Sequence, residues 1–325
     1  MQTLSVLRHS TRFSINLVFF ALLLSGCGGG GSSGNGITLP TAPVTITQQN
    51  ALLVAGAAID ALYGGTSLPT GVQTSASSSA SSAASAANTI ARIGQAAAQQ
   101  IIAQGAAPAT VTGAVSTTTC PFGGQLSISS SGTSGSATYT NCSLISGVTL
   151  NGTMSISNAN QVGLTLYADA VFNLTVTTTT PVNTLTAMGD MHLVMDTVTI
   201  AMTMSGSSLA MGNTNPAMGN FGLQNYTISI DTSGNFSALT FKFASTAING
   251  TADFAMTIPF TYVSGMFPSS GVATITGANS TVLKLTVKTD ETVVGNQVLF
   301  ELSSDGGGTY PYSTYHGWAD ISSLI

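Results

Sequence analysis

From about Val111 onward, apolar and polar residues alternate with a period of two. Leu239, Phe241 and Phe243 alternate with Thr240 and Lys242, and Leu283, Leu285 and Val287 alternate with Lys284, Thr286 and Lys288. Val198, Ile200, Met202 and Met204 alternate in the same way with Thr197, Thr199, Ala201 and Thr203. Such spacing predicts strands with one face buried and one solvated. Thr on the solvent face favours strand geometry through β-branching and adds no charge. Asn151-Gly152, Gly234-Asn235, Asn249-Gly250 and Gly295-Asn296 predict hairpin turns between strands. Roughly twelve to fourteen strands fit into residues 110–325, which one all-β domain can hold.

Residues 48–109 follow another period. Ala51 to Leu62 is a compact apolar run that stops at Tyr63-Gly64-Gly65, a helix-ending signal. Ile90, Ile93, Ala97 and Ile101 recur at helical spacing and form one narrow stripe suited to packing on a sheet. The expected fold is therefore mainly β: a large antiparallel sheet, twisted or partly closed, with a small helical section packed on it. Leu150-Asn151-Gly152-Thr153 and Ile248-Asn249-Gly250-Thr251 echo one another, and the simpler reading is one turn chemistry used twice. No period of 20–50 residues points to a solenoid.

The first 26 residues have the order of an export signal. Arg8 and Arg12 precede an apolar run from Phe13 to Leu24, too short for a bilayer-spanning helix. The run ends in Leu24-Ser25-Gly26-Cys27, which resembles the lipobox of bacterial lipoproteins. That resemblance implies acylation of Cys27 with palmitate-like chains, each buried CH₂ contributing ~0.8 kcal/mol, and hence stable anchoring in a membrane. Gly28 rather than Asp follows the cysteine, which by the same resemblance implies the outer membrane. Residues 27–47, opening with Gly28-Gly29-Gly30-Gly31, read as a flexible tether. Gly30-x-Ser32-x-Gly34 matches a nucleophile elbow by letter only, because a tether supplies neither the strand nor the helix that an elbow needs.

Composition narrows the function classes. Charged residues are 5% of the chain and hydrophobic ones 43%, so the chain can bury a sizeable core yet shows a nearly neutral surface. Beyond the signal the cations are Arg92, Lys242, Lys284 and Lys288, too few for useful phosphate binding, so nucleic acid is excluded as a partner. Once Cys27 is acylated, Cys120 and Cys142 remain as an even pair in an oxidising compartment, and a structural disulfide is expected. On the chain-entropy model that bridge stabilises by ~3–4 kcal/mol.

Candidate chemistry is sparse. Asp190 and His192 fall on one face of an extended strand, but sequence ties no nucleophile to them. Seven methionines lie between Met188 and Met218. Met191, Met202 and Met204 with His192 form a possible Cu(I) set, although methionine is more often core or pocket lining. Asp305-Gly306-Gly307-Gly308 has too few carboxylates for calcium and reads as a turn. Tyr310, Tyr312, Tyr315 and Trp318 form an aromatic stretch that either contacts a ligand or partner or closes the sheet. No cofactor is expected.

Asn50-Ala51, Cys120 with Cys142, and Ser270-Gly271 through Thr276-Gly277-Ala278-Asn279 to Asp305-Gly306 resemble a group of Gram-negative envelope lipoproteins without a known activity, over residues 48–318. The expectation is a non-enzymatic, outer-membrane-anchored lipoprotein with a structural or interaction role, its partner an envelope protein, glycan or lipid. The alternatives are a carrier of a hydrophobic ligand and Cu(I) binding.

Overall fold

The computed structural model describes residues 37–63, most of 94–103 and the greater part of 115–322. Among the described residues, fourteen strands form one antiparallel meander in which every strand pairs with its neighbours in sequence. They are β1 (Val115–Thr119), β2 (Gln125–Ser131), β3 (Ser134–Ile145), β4 (Val148–Val162) and β5 (Thr165–Thr179). Next come β6 (Val182–Asp196), β7 (Met202–Asn213), β8 (Phe221–Ile230), β9 (Phe236–Ser245) and β10 (Gly250–Thr261). The last four are β11 (Ser270–Thr276), β12 (Val282–Lys288), β13 (Gln297–Ser303) and β14 (Tyr312–Gly317). Among the described residues β1 and β14 do not pair, so the sheet they form is open. Each connection is short and local, as the turn-rich sequence requires.

The alternation sorts the side chains as expected. On β5, Leu166, Ala168, Ala170, Phe172 and Leu174 are buried, while Tyr167 and Val171 between them are exposed. The outer face is held by neutral hydroxyl pairs across strands, such as Thr203 with Ser229 at 2.9 Å and Ser129 with Ser136 at 2.9 Å.

Helices cover the inner face. Helix α1 (Ala51–Tyr63) packs on β8 and β9 and on the closing helix α3 (Trp318–Ser322). Its entry is set by Asn50, whose Oδ1 accepts the Thr47 N–H at 2.7 Å and whose Nδ2 donates to Thr45 O at 3.0 Å. Ala97 and Ile101 of a second helical stretch, α2 within 94–103, are fully buried, as the stripe predicts, and Ala98 is buried beside them; Ile90 and Ile93 lie outside the described residues. A Cβ at Gly135 would stand 2.8 Å from Ile101 Cδ1, so glycine on β3 lets this helix close on the sheet.

The segment before α1 is a strap. Val44 N–H donates to Thr251 O at 2.9 Å, Ala278 N–H donates to Val44 O at 2.7 Å, and Ile46 N–H donates to Thr281 Oγ1 at 3.0 Å. The strap thus crosses the β9/β10 and β11/β12 turns at one end of the sheet. The disulfide Cys120–Cys142, Cα–Cα 5.5 Å, lies at that same end by the alternation of the meander.

One turn expectation and the start of one expected strand need correction. Asn249-Gly250 does make the β9/β10 turn, but Asn151-Gly152 sits inside β4. There Asn151 Oδ1 accepts the N–H of Asn141, which occupies a bulge on β3. The sequence echo therefore covers two different structures. Residues 197–199 form a turn and β7 starts only at Met202, because Asp196 Oδ1 draws in the N–H groups of Val198 and Thr199 at 2.8 and 2.7 Å. Gly234-Asn235 and Gly295-Asn296 lie outside the described residues.

Candidate functional site

A shallow groove of about 590 Å³ opens on the outer face across β5, β6, β7 and β8. It is built at β-bulges. Asn158 on β4 and Asn225 on β8 each carry the extra residue of a bulge, with φ of 54° and 46°. On β7 the register slips by one between Ser205 and Leu209. Asparagine tolerates the left-handed conformation better than other side-chain-bearing residues, which places it at such points.

Asp190 clamps the β7 bulge. Its carboxylate accepts the Ser207 and Ser208 N–H groups at 2.7 and 2.9 Å and the Ser207 hydroxyl at 2.6 Å. Partial burial alone would raise its pKa; the Ser207 hydroxyl and the backbone N–H groups of Ser207, Ser208 and Asp190 itself outweigh that and hold it below the ordinary carboxylate value. Tyr226, buried beneath the groove, donates its hydroxyl to Asp190 O at 2.6 Å. Burial and the nearby Asp190 charge both push the Tyr226 phenol upward. A Cβ at Gly206 would stand 2.7 Å from the Tyr226 hydroxyl and 2.4 Å from Asp190 O, so only glycine here leaves room for the Tyr226 hydroxyl to reach Asp190 O.

Asp190 and His192 do share the outer face, yet they are not a pair. Asp169, directly opposite His192 on β5, holds the imidazole Nδ1 through Oδ1 at 2.6 Å. Asn158 Nδ2 donates to the other carboxylate oxygen of Asp169 at 2.6 Å. These two hydrogen bonds, Asn158 first and His192 second, lower the Asp169 pKa. Side-chain exposure is 50% for His192 and 39% for Asp169, so the pair is accessible from solvent. Ser205 stands opposite His192 on the other side, and Thr227 stands opposite Ser205. Asp169, His192, Ser205 and Thr227 therefore form one row across four strands.

The proposed copper set is divided by the sheet. Met191, Met202 and Met204 are buried on the inner face, whereas His192 projects outward, because neighbouring strand residues point to opposite sides. Met195 pairs with Met202 within that core. Among the described residues no group of three His, Cys, Asp or Glu is placed to hold a metal.

The aromatic stretch is likewise dispersed. Trp318 is buried at the start of α3, and Tyr312 is partly buried against the core. Tyr315 is exposed on the outer face, and the Tyr310 ring lies 5.4 Å from Lys284 Nζ. Asp305 makes a turn, as read: its Oδ1 accepts the Gly307 N–H at 2.9 Å and the Ser303 hydroxyl at 3.0 Å. Cys27 lies outside the described residues.

Sequence reading missed Asp169, Asn158, Ser205 and Asn225. A signal was present: the apolar parity switches where each bulge falls. Buried Met202 and Met204 give way to Leu209 and Met211, and Leu223 gives way to Tyr226. No protein-family model, curated protein or solved structure matches the chain.

Proposed function

We propose that the chain is an outer-membrane-anchored envelope lipoprotein, held through acylated Cys27, that acts by presenting the outer face of its sheet to another envelope component. The observation that carries this reading is the separation of strap and groove. The strap is hydrogen-bonded to the end of the sheet bearing the β9/β10 and β11/β12 turns. The groove lies toward the opposite end, since Asp169 is near the start of β5 and His192 near the end of β6. A polar recognition face is thereby held away from the point of attachment.

Two measurements test it. Labelling with radioactive palmitate is expected to mark the full chain and to vanish in Cys27→Ser, with the chain moving from the membrane to the soluble fraction. A photo-cross-linker at exposed Val171, on the groove wall, is expected to trap one discrete envelope adduct, whereas one at Val115 on β1 is expected to trap none. Equal adducts at both positions, or none at either, would sink the recognition reading.

A second reading, a carrier of a hydrophobic ligand, draws on the methionines and phenylalanines of the inner face, which are adaptable lining. A lipid-sized adduct in the native mass spectrum, lost on denaturation, would move it ahead.

A further inference from the structure

We propose that the groove is also an acyl-ester hydrolase site, with Ser205 as nucleophile, His192 as general base and Asp169 as the residue that orients the base. This goes beyond the recognition reading and stands or falls separately from it. Three observations carry it. Asp169 Oδ1 engages Nδ1 of His192 at 2.6 Å, which fixes the tautomer with Nε2 free to accept a proton. Asn158 holds the second Asp169 oxygen at 2.6 Å, so the orienting carboxylate is itself positioned. Ser205 is the register partner of His192 on the strand opposite Asp169 and lines the same groove. Directly paired residues on one face have Cβ atoms ~4.5–5.5 Å apart, within which a side-chain rotation brings hydroxyl and imidazole together. Hydrogen bonds of this kind commonly tighten only when substrate arrives.

The other groove serine is differently engaged. Ser207 Oγ donates to Asp190 Oδ1 at 2.6 Å, in the bulge clamp. In the proposed reaction Ser205 Oγ bonds to the ester carbonyl carbon as its proton passes to His192 Nε2. The carbon–oxygen bond to the leaving alcohol breaks, and that oxygen takes the proton from Nε2. Water then repeats the sequence on the acyl-serine, releasing a carboxylic acid and restoring Ser205. Asn225 and Thr227 supply neutral donors in the groove wall for the carbonyl oxygen. The groove is shallow and wet, which suits a small acyl group on a bulky alcohol rather than a long acyl chain.

The test uses the full lipidated chain, a fluorophosphonate probe with peptide mapping of the adduct, and p-nitrophenyl acetate turnover. Phosphonylation is expected at Ser205, lost in Ser205→Ala and retained in Ser136→Ala, an outer-face serine on β3 away from the groove. His192→Gln is expected to slow labelling and turnover by about 10²-fold or more. Asp169→Asn is expected to change the pH profile of turnover with little change in KM, which a merely structural carboxylate would not do. Circular dichroism of each variant separates lost chemistry from lost fold. A folded chain that takes no label, takes it at another residue, or labels equally fast in His192→Gln overturns the proposal.

Discussion

The two faces of β5 to β8 come from the same residues in alternation and obey different physics. Inward, Leu193, Met191, Met195 and Met204 are nearly or fully excluded from water, and their contribution is area removed from solvent. Outward, Asp169, His192, Ser205 and Asp190 remain half-wetted, and their contribution is the placement of donors and acceptors. One residue step therefore separates a core contact from a candidate reacting group, and a bulge is the only local device that changes which residue goes where.

The comparison is sharpest in stability measurements. Leu193→Ala is expected to cost about 2–5 kcal/mol in chemical denaturation, while Val194→Ala, one residue on, costs less than about 1 kcal/mol. Equal losses would mean that the faces are not distinct. Asp190→Ala removes the acceptor of the β7 bulge and is expected to cost about 1–2 kcal/mol after allowing for solvent screening. Hydrogen exchange at the Ser207 and Ser208 amides should accelerate in this variant more than exchange elsewhere in β7.

Two buried tyrosines divide along the same line. The Tyr139 hydroxyl is buried with no hydrogen-bond partner among the described residues, and burial alone pushes its pKa up. Tyr139→Phe is expected to stabilise by about 1 kcal/mol, because an unsatisfied polar atom leaves the core. Tyr226→Phe, which loses the bond to Asp190 O, is expected to destabilise by about 0.5–1.5 kcal/mol. Opposite shifts in Tm are the signature; shifts of the same sign would refute the distinction. His192→Ala, on the exposed pair, is expected to change stability by less than about 1 kcal/mol.

Acid should find the outer face first. Asp169 and Asp190 have lowered carboxyl pKa values in the folded chain. Because the folded value lies below the unfolded one, their stabilisation is complete above the unfolded pKa of about 4 and is lost as pH falls through the folded values. The Asp169→Asn, Asp190→Asn double variant should lose less stability than the parent between pH 4 and pH 2, measured as the urea midpoint.

Much of the fold is legible in the residues. The alternation through Leu239, Phe241 and Phe243 predicts a strand with a buried face, and all three are buried on β9. The even pair Cys120 and Cys142 is joined. The Ala97–Ile101 stripe lies on the inner face of the sheet. These properties are local, or depend only on which side of a strand faces water, so periodicity carries them.

The site is another matter. Asp190 and His192, two residues apart, are the neighbours that the chain itself offers, but hydrogen bonding joins His192 to Asp169, 23 positions away. That choice depends on the register of β5 against β6, which no short motif encodes. Asn151-Gly152 has the letters of a hairpin and serves a bulge, because the long-range pairing of β3 with β4 outweighs local turn preference. By itself the sequence determined the mainly β class, the bridge and the apolar period, since these follow from side-chain polarity and strand geometry. Only the tertiary structure decided which outer residues meet, because strand register and bulge placement are set by the packing of the whole inner face on its helices.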